Sequence, residues 1–176
     1  MNIKIKHSKT GFSLVEAMIS MSIFGVLSMG LMSGFVFTSK SSFAVGNYAD
    51  LVQSGTIFLE TFARDVRMAG DIHTATATEL TIDVNHSTGI KTVSYAFNPD
   101  YKTLIRIEGG TSKIVLSDID QLSFNYFNIL GNQTTSLLEA KTVQVEAILE
   151  KRVIQQKNTD HVVSARYMMR NRIVSN

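Results

Sequence analysis

The distribution of hydrophobic and polar residues divides the chain into three regions. Residues 17–39 contain no charged side chain, and as a helix this run of 23 residues is long enough to span the roughly 30 Å hydrocarbon core of a bilayer. Residues 43–69 instead carry apolar side chains at steps of three and four, which predicts an amphipathic helix with one buried face. After residue 78 apolar and polar residues alternate, as they do in half-buried strands. The pattern therefore predicts a helix over about 12–69 whose C-terminal half packs on a sheet.

The apolar stripe of the amphipathic half has two possible uses. It can form a groove for a partner or pack against a sheet, and we favour packing against the sheet. Gly70 is interpreted as a left-handed helix stop, supported by the cations Arg64 and Arg67 in the last turns. The stripe consists of Tyr48, Leu51/Val52, Gly55, Phe58/Leu59, Phe62, Val66 and Ala69.

Turn signals divide the alternating region into short strands. The strongest signal is Asn98-Pro99-Asp100, and Gly109-Gly110 marks another turn. Residues 128–140 are expected to form a loop, with a short helical turn at Leu137–Ala140. One helix followed by several short strands predicts an α+β fold, in which an antiparallel β-sheet packs on the helix. The candidate strands cover residues 80–84, 90–97, 103–108, 113–116, 121–127, 141–150 and 161–173.

Composition restricts the possible functions. The chain has no cysteine, so its core must be stable without disulfides. The first eleven residues carry three lysines and no acid, and removing them lowers the basic residues from 17 to 14 against 15 acidic residues. The remaining side chains then carry a net charge of −1, so no nucleic-acid partner is predicted.

Motifs for catalysis or metal binding are not found in the sequence. The histidines His7, His73, His86 and His161 are far apart, and no phosphate-binding loop, nucleophile elbow or zinc-protease motif occurs. Asp118 and Asp120 are weak calcium candidates, but a calcium ion takes six to eight oxygen ligands, so a solvated turn is favoured. We predict no enzyme, no cofactor and no metal.

A small basic cluster lies near the C-terminus. Arg166, Arg170 and Arg172 are spaced within seven residues. The favoured interpretation is a solvated strand face, and the alternative is contact with an acidic neighbouring subunit.

The most distinctive residues precede the apolar run and read Lys9-Thr10-Gly11-Phe12-Ser13-Leu14-Val15-Glu16. A charged side chain well inside a bilayer costs about 2.5–3.5 kcal/mol on insertion scales, so a lone acid there suggests a partner. The alternative, favoured for an isolated chain, is that Glu16 lies near the interface and snorkels or is protonated. An ordinary secretory signal would end at a small-residue site such as Ala44-Val45-Gly46, but that alternative leaves Glu16 unexplained.

This N-terminal block resembles that of type IV prepilins and type II secretion pseudopilins. The resemblance implies cleavage between Gly11 and Phe12 by prepilin peptidase/methyltransferase, methylation of the Phe12 amine, and a role for Glu16 in assembly by pairing with the Phe12 amine of a neighbouring subunit. A weaker likeness over residues 58–70 and in the sheet region is to minor pilins of the W type and J-type minor pseudopilins. Members of this family often have a proline in the helix and a C-terminal disulfide, whereas the only proline here is Pro99.

The resemblance also implies an organisation and a location. The expected parts are a leader peptide (1–11), a transmembrane and filament-core helix (12–39), an amphipathic helix half (40–70) and a globular β-rich domain (71–176). Lys4, Lys6 and Lys9 keep the leader cytoplasmic by the positive-inside rule, so the domain is expected in the periplasm, on a single-pass inner-membrane protein, and later in a pilus or pseudopilus. The implied partners are other pilin or pseudopilin subunits and the inner-membrane assembly platform, with an initiation or tip role.

Two other classes of function remain open. A membrane-tethered or released binding domain that never polymerises predicts tolerance to changes at Glu16, with cleavage after Gly46 or no cleavage. An envelope hydrolase would need a clustered catalytic set, which the sequence does not display, and a deep polar pocket in the sheet domain would favour it again.

Overall fold

The computed structural model of the chain describes residues 11–87, 89–153 and 156–173. Most of the expected leader, including Lys4, Lys6, His7 and Lys9, lies outside the described residues. The chain forms two compact units, Met1–Ser42 and Phe43–Asn176, and the long helix contributes to both. The elements are α1 (Leu14–Met68), β1 (Ala69–Ala75), β2 (Glu79–His86), β3 (Gly89–Asn98), β4 (Thr103–Glu108), β5 (Thr111–Leu116), β6 (Ile119–Phe127), β7 (Thr142–Val153) and β8 (Gln156–Met168).

The first unit contains the apolar part of α1. This helix is long and apolar enough to cross a membrane, and none of its most apolar 18-residue window is buried. The hydroxyls of Ser22 and Thr38 donate to the carbonyls of Met18 and Gly34 at 2.8 and 2.9 Å, so these polar side chains satisfy themselves on the helix backbone. Apolar surface of this extent requires lipid or other apolar helices to cover it.

In the second unit one face of α1 forms the centre of the core. The predicted packing of the stripe is confirmed, since α1 buries Leu51, Gly55, Phe58, Phe62, Ala63, Asp65 and Val66. The Phe62 ring lies 5.3 Å from that of Tyr95 on β3 and 5.9 Å from that of Phe124 on β6. Phe62 therefore contacts both sheets of the unit.

The strands form two antiparallel sheets. β1 to β5 make a five-stranded sheet in chain order, and β6, β7 and β8 make a three-stranded sheet. Backbone bonds connect them, because the Phe124 amide donates to the Ala77 carbonyl at 2.8 Å and the Ile119 amide donates to the Lys102 carbonyl at 3.0 Å. The predicted α+β fold, a long N-terminal helix packed on antiparallel sheet, is confirmed.

The predicted helix stop at Gly70 is wrong. α1 ends at Met68 and Gly70 is the second residue of β1, with a φ outside the left-handed region. A Cβ at Gly70 would lie 3.1 Å from Asn85 Nδ2 on the neighbouring strand, so close packing on β2 favours glycine there. β1 is not among the predicted strands, because its apolar residues do not alternate regularly with polar ones, and Ala69 and Ile72, three residues apart, are its buried positions.

The C-terminal strand also differs from its prediction. β8 covers Gln156–Met168, whereas the prediction placed it at 161–173. The predicted loop at 128–140 is observed, with an isolated bridge between Phe127 and Gln133. A single helical turn within it is closed by the Ala140 amide, which donates to the Ser136 carbonyl at 3.2 Å.

Candidate processing and assembly site

The residues expected to be processed lie just outside α1. Gly11, Phe12 and Ser13 have no helical assignment, and the helix begins at Leu14, two residues later than predicted. Phe12 is 77 % exposed, and no heavy atom lies within 4 Å of a Cβ built at Gly11. Among the described residues, nothing covers the Gly11–Phe12 peptide bond.

A capping box fixes the start of the helix. The Glu16 amide donates to Ser13 Oγ at 3.2 Å, and the Ser13 amide donates in return to Glu16 Oε2 at 3.3 Å. Ser13 is the N-cap and Glu16 the third helical residue, so each side chain satisfies an amide of the other. The spacing Ser-x-x-Glu before an apolar run is a sequence signal from which this motif can be predicted.

The Glu16 carboxylate has few partners within its own chain. In the described part of the chain it accepts only the Ser13 amide and forms no ion pair. The first turn of a helix favours an acid, since the helix dipole places partial positive charge there. Glu16 therefore lies where a helix favours an acid.

A second acid on α1 is buried and paired within the chain, and sequence reasoning missed it. Asp65 is 1 % exposed, and its Oδ2 accepts Tyr95 Oη and Arg106 Nε, each at 2.7 Å. Arg106 Nη1 also lies 2.7 Å from Glu108 Oε2. The cluster ties α1 to β3 and β4.

Charge and burial in this cluster perturb its titration. Burial and the neighbouring Asp65 carboxylate raise the pKa of Tyr95 above its ordinary range. Hydrogen bonds from Arg106 and Lys91 lower the pKa of Glu108 to about 2. Asp65, Arg106 and Glu108 also line a groove of about 500 Å³ with His86 and Lys113. Its three central charged groups already bind one another, which makes the arrangement structural.

The candidate calcium ligands Asp118 and Asp120 both make hydrogen bonds within the chain. Asp120 Oδ1 pairs with Lys102 Nζ at 3.2 Å, and the Asp118 carbonyl accepts the Glu150 amide at 2.8 Å. Across the described residues no group of three or more His, Asp or Glu side chains is placed to hold a metal ion. The described histidines contact different partners, since His73 pairs with Asp83 and His161 packs on Tyr48.

The prediction that Arg166, Arg170 and Arg172 lie on a solvated strand face is wrong for Arg172. Its side chain is only 5 % exposed, pairs with Asp71 at 2.9 Å and donates to the Leu137 carbonyl. Arg166 lies 3.6 Å from the centre of the Phe127 ring. Arg172 is buried because the chain after β8 returns to the end of α1, where the Arg170 amide donates to the Arg67 carbonyl at 3.3 Å.

Comparison with known families agrees with this geometry at the N-terminus. Residues 6–32 match the family model described as the prokaryotic N-terminal methylation motif, a range that includes Gly11, Phe12 and Glu16. No curated protein matches the chain. The motif together with the apolar helix supports a precursor of the type IV pilin and pseudopilin class, whose members are structural proteins rather than enzymes.

Proposed function

We propose that the chain is a minor pilin or minor pseudopilin. In this proposal prepilin peptidase cleaves it after Gly11 and methylates the Phe12 amine, and the product enters a type IV pilus or a type II secretion pseudopilus in an initiation or tip role. The W-type and J-type likeness of residues 58–70 supports the minor assignment. The protein would first be a single-pass inner-membrane protein with its β-rich domain in the periplasm.

One observation carries the proposal: Glu16 is a lone acid at the start of an uncovered apolar helix. The five large side chains Phe24, Leu27, Leu31, Phe35 and Phe37 are all more than half exposed. Lipid covers them before assembly, and a bundle of such helices covers them equally well in a filament. Apolar contacts do not compensate the Glu16 charge, whereas a cation from a neighbouring subunit would.

Cleavage itself would create that cation. Hydrolysis after Gly11 leaves a new amine on Phe12, four residues before Glu16. An amine and a carboxylate from adjacent subunits form a charge-assisted hydrogen bond, which is strong where water is excluded. The pair would set the axial register of one helix against the next.

The alternative is a non-polymerising binding domain that stays tethered to the membrane or is released by cleavage after Gly46. Ala44, Val45 and Gly46 lie well inside α1, and the Ala44 carbonyl accepts Thr159 Oγ1 at 3.4 Å. Peptidases act on extended backbone, so a site within a continuous helix is a poor substrate. This placement favours the Gly11–Phe12 junction.

The replacement Glu16→Gln tests the assembly role. Glutamine keeps the side chain's size and suits the capping box, but it removes the charge. We expect normal cleavage and membrane levels, with at least about tenfold less protein in sheared filaments, since a charged hydrogen bond contributes about 1.5–3 kcal/mol. Glu60→Gln, at an exposed position of the same helix, is the matched control. Incorporation of Glu16→Gln at the wild-type level would overturn the assembly role.

A further inference from the structure

The capping box redirects one particular amide. In an uninterrupted helix the Glu16 N–H would donate to the Phe12 carbonyl, four residues earlier. Here it donates to Ser13 Oγ, and the first backbone bond of the helix runs from the Ala17 amide to the Ser13 carbonyl at 3.1 Å. The Ser13 hydroxyl therefore replaces the Phe12 carbonyl as the acceptor. As a result the helix begins after Ser13 and does not extend back to Phe12.

Loss of that hydroxyl would change the backbone before it. An amide without a partner is expensive near lipid, so the Glu16 N–H would turn to the next acceptor, the Phe12 carbonyl. The helix could then extend by one more step, with the Val15 amide donating to the Gly11 carbonyl. That carbonyl belongs to the bond that is to be cut.

We propose that Ser13 is a positioning residue for cleavage, a role that rests on the proposed function. Its hydroxyl holds the Gly11–Phe12 peptide outside the helical hydrogen-bond ladder, where a peptidase can reach the carbonyl. In the cleavage, water adds OH to the Gly11 carbonyl carbon, the C–N bond breaks, and the Phe12 nitrogen takes the proton. Ser13 touches none of the reacting atoms and acts through the backbone.

Glu16 supplies the other half of the box without competing for this carbonyl. Its carboxylate accepts the Ser13 amide, which belongs to the N-cap itself. Glutamine accepts the same bond, so Glu16→Gln should leave cleavage unchanged while Ser13→Ala slows it. The two replacements thus separate a role in cleavage from a role in assembly.

The experiment measures cleavage of the full-length chain by prepilin peptidase in detergent micelles. Ser13→Ala should lower kcat about fivefold, the factor that corresponds to a typical N-cap contribution. The KM should change little, because the replacement leaves the sequence of the leader and of the apolar run unaltered. Ser13→Thr and Ser13→Asn restore a capping oxygen and should restore kcat.

Two further measurements exclude a general effect on the helix. Ser20→Ala removes an exposed hydroxyl seven residues later in α1 and should be cleaved at the wild-type rate. In micelles, ¹³C chemical shifts of the Gly11 and Phe12 carbonyls should move towards helical values in Ser13→Ala and return in Ser13→Thr. The shifts report the backbone directly, without the peptidase.

The outcomes distinguish this inference from the proposed function. Slower cleavage of Ser13→Ala, with rescue by threonine, supports it. A wild-type rate for Ser13→Ala, or unchanged carbonyl shifts, overturns the inference and leaves the proposed function intact. A wild-type chain that the peptidase does not cut after Gly11 overturns both.

Discussion

The two halves of α1 contain similar phenylalanines in opposite surroundings. In the first unit Phe35 is 69 % exposed, whereas in the second unit Phe62 is completely buried between two sheets. The first half is apolar on every side, so no single sheet could cover it, and the second half confines its apolar residues to one face. The periodicity of the apolar residues, rather than their number, determines which half folds into the domain and which needs other molecules.

The acids of the two halves differ in the same way. Asp65 receives a tyrosine hydroxyl and an arginine from its own chain, both at 2.7 Å. Glu16 receives one backbone amide, and no cation pairs with it among the described residues. A buried charge with a full set of partners is a structural feature, and an acid in an apolar segment without one suggests an intermolecular partner.

Removing the Asp65 carboxylate should have the largest effect on stability. Asp65→Ala leaves the buried Tyr95 hydroxyl without its partner and Arg106 half-paired, which should lower the free energy of unfolding by about 3 kcal/mol. Urea unfolding of the full chain in detergent, followed by tyrosine fluorescence, measures this. Glu16→Gln should leave the same transition unchanged. An equal loss of unfolding free energy in Asp65→Ala and Glu16→Gln would contradict the distinction between Asp65 as a structural acid and Glu16 as an acid with an intermolecular partner.

Gly55 and Gly30 allow the packing around the two halves of α1 to be compared. At Gly55 a Cβ would lie 2.8 Å from Val163 Cγ2, while at Gly30 nothing lies within 4 Å. Gly55→Ala should therefore cost about 2 kcal/mol through overpacking, measured by the same unfolding experiment. Gly30→Ala should leave the unfolding of the domain unaltered, and a comparable loss there would show that the first half also packs within the chain.

Low pH should reduce the free energy of unfolding by less than either of these replacements, through the cluster around Arg106. The folded-state pKa of Glu108, about 2, lies below its unfolded value, so its contribution is present above about pH 4.5 and is lost as the pH falls towards 2. We expect a loss of about 1 kcal/mol, because the pair is partly exposed. Between pH 5 and pH 2.5 the free energy of unfolding should fall less steeply in Glu108→Gln than in the wild-type protein. Parallel curves for the two proteins would rule out this carboxylate as the source.

Much of the fold follows from local patterns, and the exceptions involve distant partners. Alternation around Leu80, Ile82 and Val84 identifies β2, because each apolar residue points into the core. β1 lacks this signal, and it pairs with β2 across the short connection of residues 76–78. Arg172 could not be assigned from sequence, since its partner Asp71 lies 101 residues away.

The candidate site shows the same limit. Gly11, Phe12 and Glu16 form a local motif, so their position can be read from the sequence, and the Ser13–Glu16 box was readable in the same way. The Asp65 cluster could not be predicted in this way. Asp65 lies on the buried face of α1 together with Phe62 and Val66, and no local sequence pattern indicates that Tyr95 and Arg106 are its partners. Local spacing predicts helix ends and processing signals, while buried polar clusters depend on the packed fold.

The most direct test of the central claim is the mass of the mature N-terminus, in cells with and without the prepilin peptidase. We predict a chain that begins at methylated Phe12 and that disappears, in favour of the uncut precursor, when the peptidase is deleted. A chain that begins at Met1 or Asn47 in cells containing the peptidase would contradict the account and favour a tethered or released domain.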